Sequence, residues 1–172
     1  MFVKSNTLSD IKDYYKQSLS QSFSENEIKH MLKSICVKKL NLSDLELINF
    51  NNLRLSESEL LYFRSVLNRL LKDEPFQYII GECWFFDLNL KIDERALIPR
   101  PETEELVYWM KEVLTQDSSK IADLCSGSGC VALALKSIYK NAEVNAIEIS
   151  KDAVNLIGEN AIRTGLSLRV LD

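Results

Sequence analysis

Residues Ile121-Ala122-Asp123-Leu124-Cys125-Ser126-Gly127-Ser128-Gly129 form an apolar strand pattern running straight into a loop of small residues, and an apolar helix pattern follows without a spacer. This junction constrains the fold most, because a strand that ends in glycines at the start of a helix is the opening unit of a parallel α/β sheet. The pattern then repeats. The spacing predicts a strand over 120–124, a helix over about 129–139, a strand over 143–148, a helix over 151–164 and the start of a third strand after Gly165. Alternation of this kind requires crossover helices between parallel strands.

The chain before this point reads differently. Up to about residue 72 apolar side chains recur at helical spacing, and Ser24 to Glu27, Ser43 to Glu46 and Ser56 to Glu59 each fit the S-x-x-E capping box. Leu8, Ile11, Tyr15 and Leu19 mark an earlier helix over about 7–20. Ile28, Met31, Leu32 and Ile35 give a second apolar face, and Leu60, Phe63, Leu67, Leu70 and Leu71 a third. Such stripes pack a core rather than bind a cofactor, so a small helical bundle is expected. After Pro75 the period becomes two: Leu88, Leu90 and Ile92 alternate with Asn89, Lys91 and Asp93, and Cys83 to Phe86 supply a partner strand. Pro99 and Pro101 then hold an extended approach to a helix that carries Glu102, Glu104 and Glu105 in its first turn and is expected to bury Leu106, Met110, Val113 and Leu114.

The predicted organisation is α/β with an all-α N-terminal domain over 1–74, a β-hairpin linker over 75–98, and over 99–172 the first part of a class I, Rossmann-like sheet. Composition agrees with a folded protein, since 46% hydrophobic and 27% charged residues exclude disorder. A net charge of −4 gives no broad basic field, so direct nucleic-acid binding is not expected. No signal peptide and no run of about 18 apolar residues is present, which leaves a cytoplasmic, non-membrane expectation. Cys36, Cys83, Cys125 and Cys130 show no zinc spacing and are expected to be reduced, with Cys36 and Cys83 in the core. His30 is the only histidine and is expected on a helix surface, so no metal site and no histidine-based triad is predicted.

At the loop, Gly127 and Gly129 let a ligand approach the backbone, and the helix amides face it. Glu148 stands at the end of the next strand, placed to accept hydrogen bonds from both hydroxyls of a ribose, and Ile149 beside it is a candidate wall for an adenine ring. Gly127-x-Gly129-x-x-Ala132 also fits a dinucleotide fingerprint, so a nicotinamide-dependent oxidoreductase stays open. Asp123 tilts the choice, because a carboxylate there favours an ammonium group and repels a pyrophosphate, which suits S-adenosylmethionine. A structural reading of Asp123, as a cap for the loop amides, also stays open.

The chain resembles the protein-(glutamine N5) methyltransferases of the HemK/PrmC type, which act on peptide chain release factors. The resemblance runs through Pro75-Phe76-Gln77-Tyr78-Ile79-Ile80-Gly81, Leu97-Ile98-Pro99-Arg100-Pro101-Glu102-Thr103-Glu104, the loop around Asp123, and Asn160-Ala161 with Gly165-Leu166. It implies a helical domain that helps recognise the release factor, a hairpin linker and a methyltransferase domain. It also implies that Cys125, Ser126, Gly127, Ser128 and Gly129 contact the methionine part of S-adenosylmethionine and that Glu148 binds its ribose. Two departures stand out. Cys125 replaces the family's glycine and asks for a compatible backbone angle. The family's Asn-Pro-Pro-Tyr motif, which holds the substrate amide, occurs nowhere in residues 1–172, so no catalytic residue is assigned and a chain lacking the amide site is expected. A non-catalytic docking module for a translation factor is the competing reading. By the same resemblance strand 120–124 is expected to have its pairing partners on one side only.

Overall fold

The computed structural model describes residues 5–43, 46, 52–114 and 120–172. It divides into two compact units, Met1–Ile80 and Gly81–Asp172.

The first unit is helical: α1 (Leu8–Leu19), α2 (Glu25–Leu40), α3 (Glu57–Leu70) and the short α4 (Phe76–Ile80). Capping sets where the helices start. Thr7 accepts the Asp10 amide at the head of α1, while Ser24 with Glu27 and Ser56 with Glu59 close reciprocal boxes on α2 and α3. Ser43 and Glu46 make the same reciprocal pair, and the helix expected after them lies outside the described residues. The predicted stripes converge: Ile11, Tyr15, Ile35, Phe63 and Leu70 are all nearly inaccessible. Tyr15 stacks edge-on against Phe63 with centroids 6.2 Å apart, and its hydroxyl donates to the Phe63 carbonyl at 2.5 Å. Burial pushes the Tyr15 phenol far above its usual range, so it remains a donor. Leu71 departs from the expected face and is 52% exposed, because α3 ends at Leu70 and the chain turns there. His30 is exposed, and Cys36 is buried, its thiol pushed up to about 11 by desolvation.

In the second unit β1 (Glu82–Phe85) and β2 (Leu88–Lys91) pair antiparallel around a two-residue turn. Phe86 and Asp87 both take positive φ, 48° and 61°, the hand that a tight hairpin turn needs. Leu90 and Ile92 are fully buried on the predicted face, and Cys83 is buried with its thiol pushed up to about 11 by desolvation. Next comes α5 (Pro101–Val113), which opens on Pro101 as the sequence predicts. Its Glu104 accepts the Phe86 amide at 3.0 Å, so an acidic residue of the approach segment caps the hairpin turn. The expected buried face of α5 is corrected. Val107 is the residue fully buried, while Leu106 and Val113 are 43% and 64% exposed. Leu106, Tyr108, Trp109 and Val113 spread apolar character over a wide arc, so periodicity could not fix which line of the helix faces inward.

The remaining elements alternate as predicted: β3 (Lys120–Leu124), α6 (Cys130–Ile138), β4 (Glu143–Ile147), α7 (Lys151–Thr164) and β5 (Arg169–Leu171). The strands are parallel in the order β3-β4-β5, with Lys120 opposite Glu143 and Asn145 opposite Arg169. Among the described residues β3 therefore pairs on one side only. Helix α7 ends at Gly165, whose φ of 68° terminates it in the left-handed conformation. An ion cluster ties α7 to the segment after the hairpin: Arg95 bridges Asp93 and Glu159, and Lys91 also reaches Glu159 at 2.7 Å. Among the described residues no helix is long and apolar enough to cross a membrane.

Candidate functional site

The glycine loop sits between the carboxyl ends of β3 and β4, where open α/β sheets place their ligands. Ser126 pins it. Its amide donates to the Ile147 carbonyl, its hydroxyl accepts the Ile147 amide, both at 3.1 Å, and the hydroxyl donates to the Asp123 carbonyl at 2.8 Å. These bonds extend the β3–β4 ladder by a side chain and leave Ser126 buried. The Gly129 amide then closes the turn onto the Ser126 carbonyl at 2.7 Å. Gly127 and Gly129 both hold positive φ, 55° and 77°. A Cβ on Gly127 would meet only the Ala96 Cβ, at 3.9 Å, whereas one on Gly129 would lie 3.1 Å from Ile157 Cγ2. Gly127 is thus required by the backbone angle alone, and Gly129 by the angle and by contact with α7.

Asp123 takes the cap that Gly129 lacks. Its Oδ2 accepts the Ala132 amide at 3.2 Å, one of the free donors in the first turn of α6. Burial raises its pKa above the ordinary carboxylate value. Asp123 thus caps the first turn of α6 and not the loop amides that the structural alternative named, with the carboxylate still lying beside the loop. Glu148 grips two amides, Gly127 at 2.8 Å and Ser150 at 3.0 Å, and these bonds hold its pKa below the usual value. Neighbouring Ile149 is 93% exposed.

Cys125 adopts a φ of 60°, in the backbone region that favours glycine. Its side chain is exposed. Cys125→Gly is expected to raise stability by about 0.5–1 kcal/mol, since relief of the left-handed strain outweighs glycine's extra unfolded-state freedom. A rightward shift of the denaturation midpoint at constant slope checks this, and an unchanged or lower midpoint counts against it.

Asn160 received no role from the sequence beyond its place in the resemblance. It is fully buried in α7, where its amide bonds both the β2 backbone at Lys91 and the carbonyl of Ser128 in the loop. The signal was available: Asn160 lies on the inward line of Ala153, Leu156 and Ile157, where a polar side chain must find buried partners. Among the described residues no cluster of three metal-ligating side chains occurs.

A parallel α/β start, a glycine loop anchored on β4 and an acidic residue just after that strand define the opening unit of a Rossmann-like α/β domain. Comparison with known proteins narrows this. Residues 15–81 match the PrmC N-terminal domain and residues 103–172 the methyltransferase small domain. The chain is 37% identical to the release factor glutamine methyltransferase of Flavobacterium psychrophilum over 94% of its own length and 59% of that protein. It is 45% identical to the enzyme of the same name from Lactococcus lactis over 70% of the chain and 46% of that protein. A ribosomal protein uL3 glutamine methyltransferase of Francisella tularensis is 28% identical over 96% of the chain and 56% of that protein. With both domains matched in this order, the chain is similar to the HemK/PrmC-type methyltransferases along most of its length. It spans about half the length of the relatives it matches.

Proposed function

We propose that this chain supplies the S-adenosylmethionine-binding part of a protein-glutamine N5-methyltransferase that acts on peptide chain release factors in the cytoplasm. The observation that carries the reading is the pair of carboxylates, Asp123 and Glu148, set around a loop of backbone donors. A pyrophosphate brought to this loop meets the Asp123 carboxylate, whereas an ammonium group finds an acceptor there and a ribose diol finds one at Glu148. An ionised carboxylate offers about four acceptor positions, so the two amide bonds to Glu148 leave room for both ribose hydroxyls. The residues present therefore fit the cofactor. Asp123 with Cys125, Ser126, Gly127, Ser128 and Gly129 would hold its methionine part, Glu148 its ribose and Ile149 its adenine. When bound, S-adenosylmethionine supplies an electrophilic methyl group on its sulfonium sulfur. The loop's own contribution is orientation, since donors fixed before binding do not have to reorganise at the moment of reaction.

The release factor is favoured as substrate by the higher identity to the enzymes named for it than to the uL3 enzyme. The helical part, residues 1–74, would dock the protein substrate. No residue of this chain is assigned to the substrate amide. Calorimetric titration of the chain with S-adenosylmethionine and, separately, with NAD discriminates this reading from a dehydrogenase. Saturable binding of the first alone is expected, and preference for NAD, or no binding of S-adenosylmethionine by a cooperatively folded chain, would overturn the reading.

A further inference from the structure

The Asn160 side chain hydrogen-bonds both the glycine loop and the hairpin, and nothing in the cofactor contacts proposed above requires it. Its Oδ1 accepts the Lys91 amide at 2.7 Å, and its Nδ2 donates to the Lys91 carbonyl and to the Ser128 carbonyl, each at 3.0 Å. Both bonds to Lys91 use the two polar groups of a single backbone residue, so the Asn160 amide stands in for a neighbouring strand at the exit of β2. The second Nδ2 hydrogen then goes to the loop. A peptide unit is planar, so fixing the Ser128 carbonyl also fixes the direction of the Gly129 amide, which donates to the Ser126 carbonyl at 2.7 Å. The side chain is fully buried, with both donors and an acceptor satisfied. Among common side chains an aspartate lacks the donors, a leucine of similar shape lacks every polar group, and a glutamine is one carbon too long.

We propose that Asn160 is a positioning residue that sets the Ser128–Gly129 peptide of the cofactor loop and makes its geometry depend on the seating of the β1–β2 hairpin. The hairpin is itself held at its turn by Glu104 and by the Phe86 ring against Tyr108, with centroids 5.0 Å apart. Disturbance at the hairpin therefore reaches the loop through one amide. The statement about the loop stands on the bonds above, and only its consequence for the cofactor rests on the proposed function.

The experiment compares Asn160→Leu with Arg163→Ala in the whole chain. Arg163 also ties α7 to the hairpin, through Glu82 at 2.8 Å and through Asn89, but makes no recorded bond to the loop. Amide hydrogen exchange at Gly127, Ser128 and Gly129 is followed where circular dichroism shows both variants folded. Asn160→Leu is expected to speed exchange at these three amides by about tenfold or more and to weaken S-adenosylmethionine binding by a similar factor, while Arg163→Ala leaves loop exchange within about twofold of the unaltered chain. Unchanged loop exchange in Asn160→Leu, or an equal rise in Arg163→Ala, overturns the proposal. Should the leucine variant not fold, Asn160→Ser, whose shorter side chain leaves room for a water, is read by the same criteria. If the unaltered chain fails to bind S-adenosylmethionine while the exchange pattern holds, the cofactor assignment falls and the positioning role stands.

Discussion

Alanine at position 129 is expected to destabilise the second unit by about 2–5 kcal/mol, the sum of a left-handed backbone penalty of about 1–2 kcal/mol and an overpacking penalty of about 1–3 kcal/mol. Gly129 holds φ at 77°, and the added Cβ would lie 3.1 Å and 3.3 Å from the two γ carbons of Ile157. Ile157 cannot easily yield, because it is fully buried on the inward line of α7 beside Leu156 and Asn160. The helix also starts here, so a shift of Gly129 disturbs the bond from the Leu133 amide to the Gly129 carbonyl at 2.9 Å. The matched control is Gly127→Ala, which carries the angle penalty of about 1–2 kcal/mol without a close contact. Urea denaturation of both variants checks the prediction, and equal losses would show that contact with Ile157 contributes nothing.

Phe63→Ala is expected to cost the first unit about 3–5 kcal/mol, the usual range for deleting a buried aromatic ring. Phe63 is fully buried in α3, and its ring meets Tyr15 edge-on at 6.2 Å and Tyr62 at 6.3 Å. Truncation removes the ring from the centre of three helices at once and leaves a cavity lined by rigid neighbours. It leaves in place the bond from the Tyr15 hydroxyl to the Phe63 carbonyl, since that acceptor belongs to the backbone. The loss should therefore reflect packing alone, and Tyr15→Phe should be milder, at about 1–3 kcal/mol for a buried acceptor left without its donor. Loss of cooperative unfolding of the helical unit at room temperature would be the strong form of the Phe63 result. A loss below about 1 kcal/mol would mean that the cavity collapses without cost.

How far the molecule is legible without coordinates depends on the range of the forces involved. The S-x-x-E boxes at Ser24 and Ser56 placed two helix starts to the residue, because a capping bond spans only one turn. The strand over 120–124 was placed to the residue, and its partner over 143–147 came one residue shorter than expected. The α5 face failed for the opposite reason. Its apolar residues encircle much of the helix, so only the elements packed against it decide that Val107 turns inward. Asp123 shows a partial success: its proximity to the loop was readable, but its bond to Ala132 required the start of α6 to fold back over the end of β3.

By itself, the sequence determined the alternation of elements, the helix caps, the glycine loop with its acidic companions and the family to which they point. Each of these is written in neighbouring residues or in a fixed period. Tertiary structure alone decided that Asn160 joins the hairpin to the loop, across separations of 69 and 32 residues. It also decided that Gly129 is forced by Ile157 and that Glu148 spends part of its carboxylate on Gly127 and Ser150. The physical reason is that a buried polar group or a missing Cβ takes its meaning from whatever the fold brings against it, and no local pattern records that neighbour.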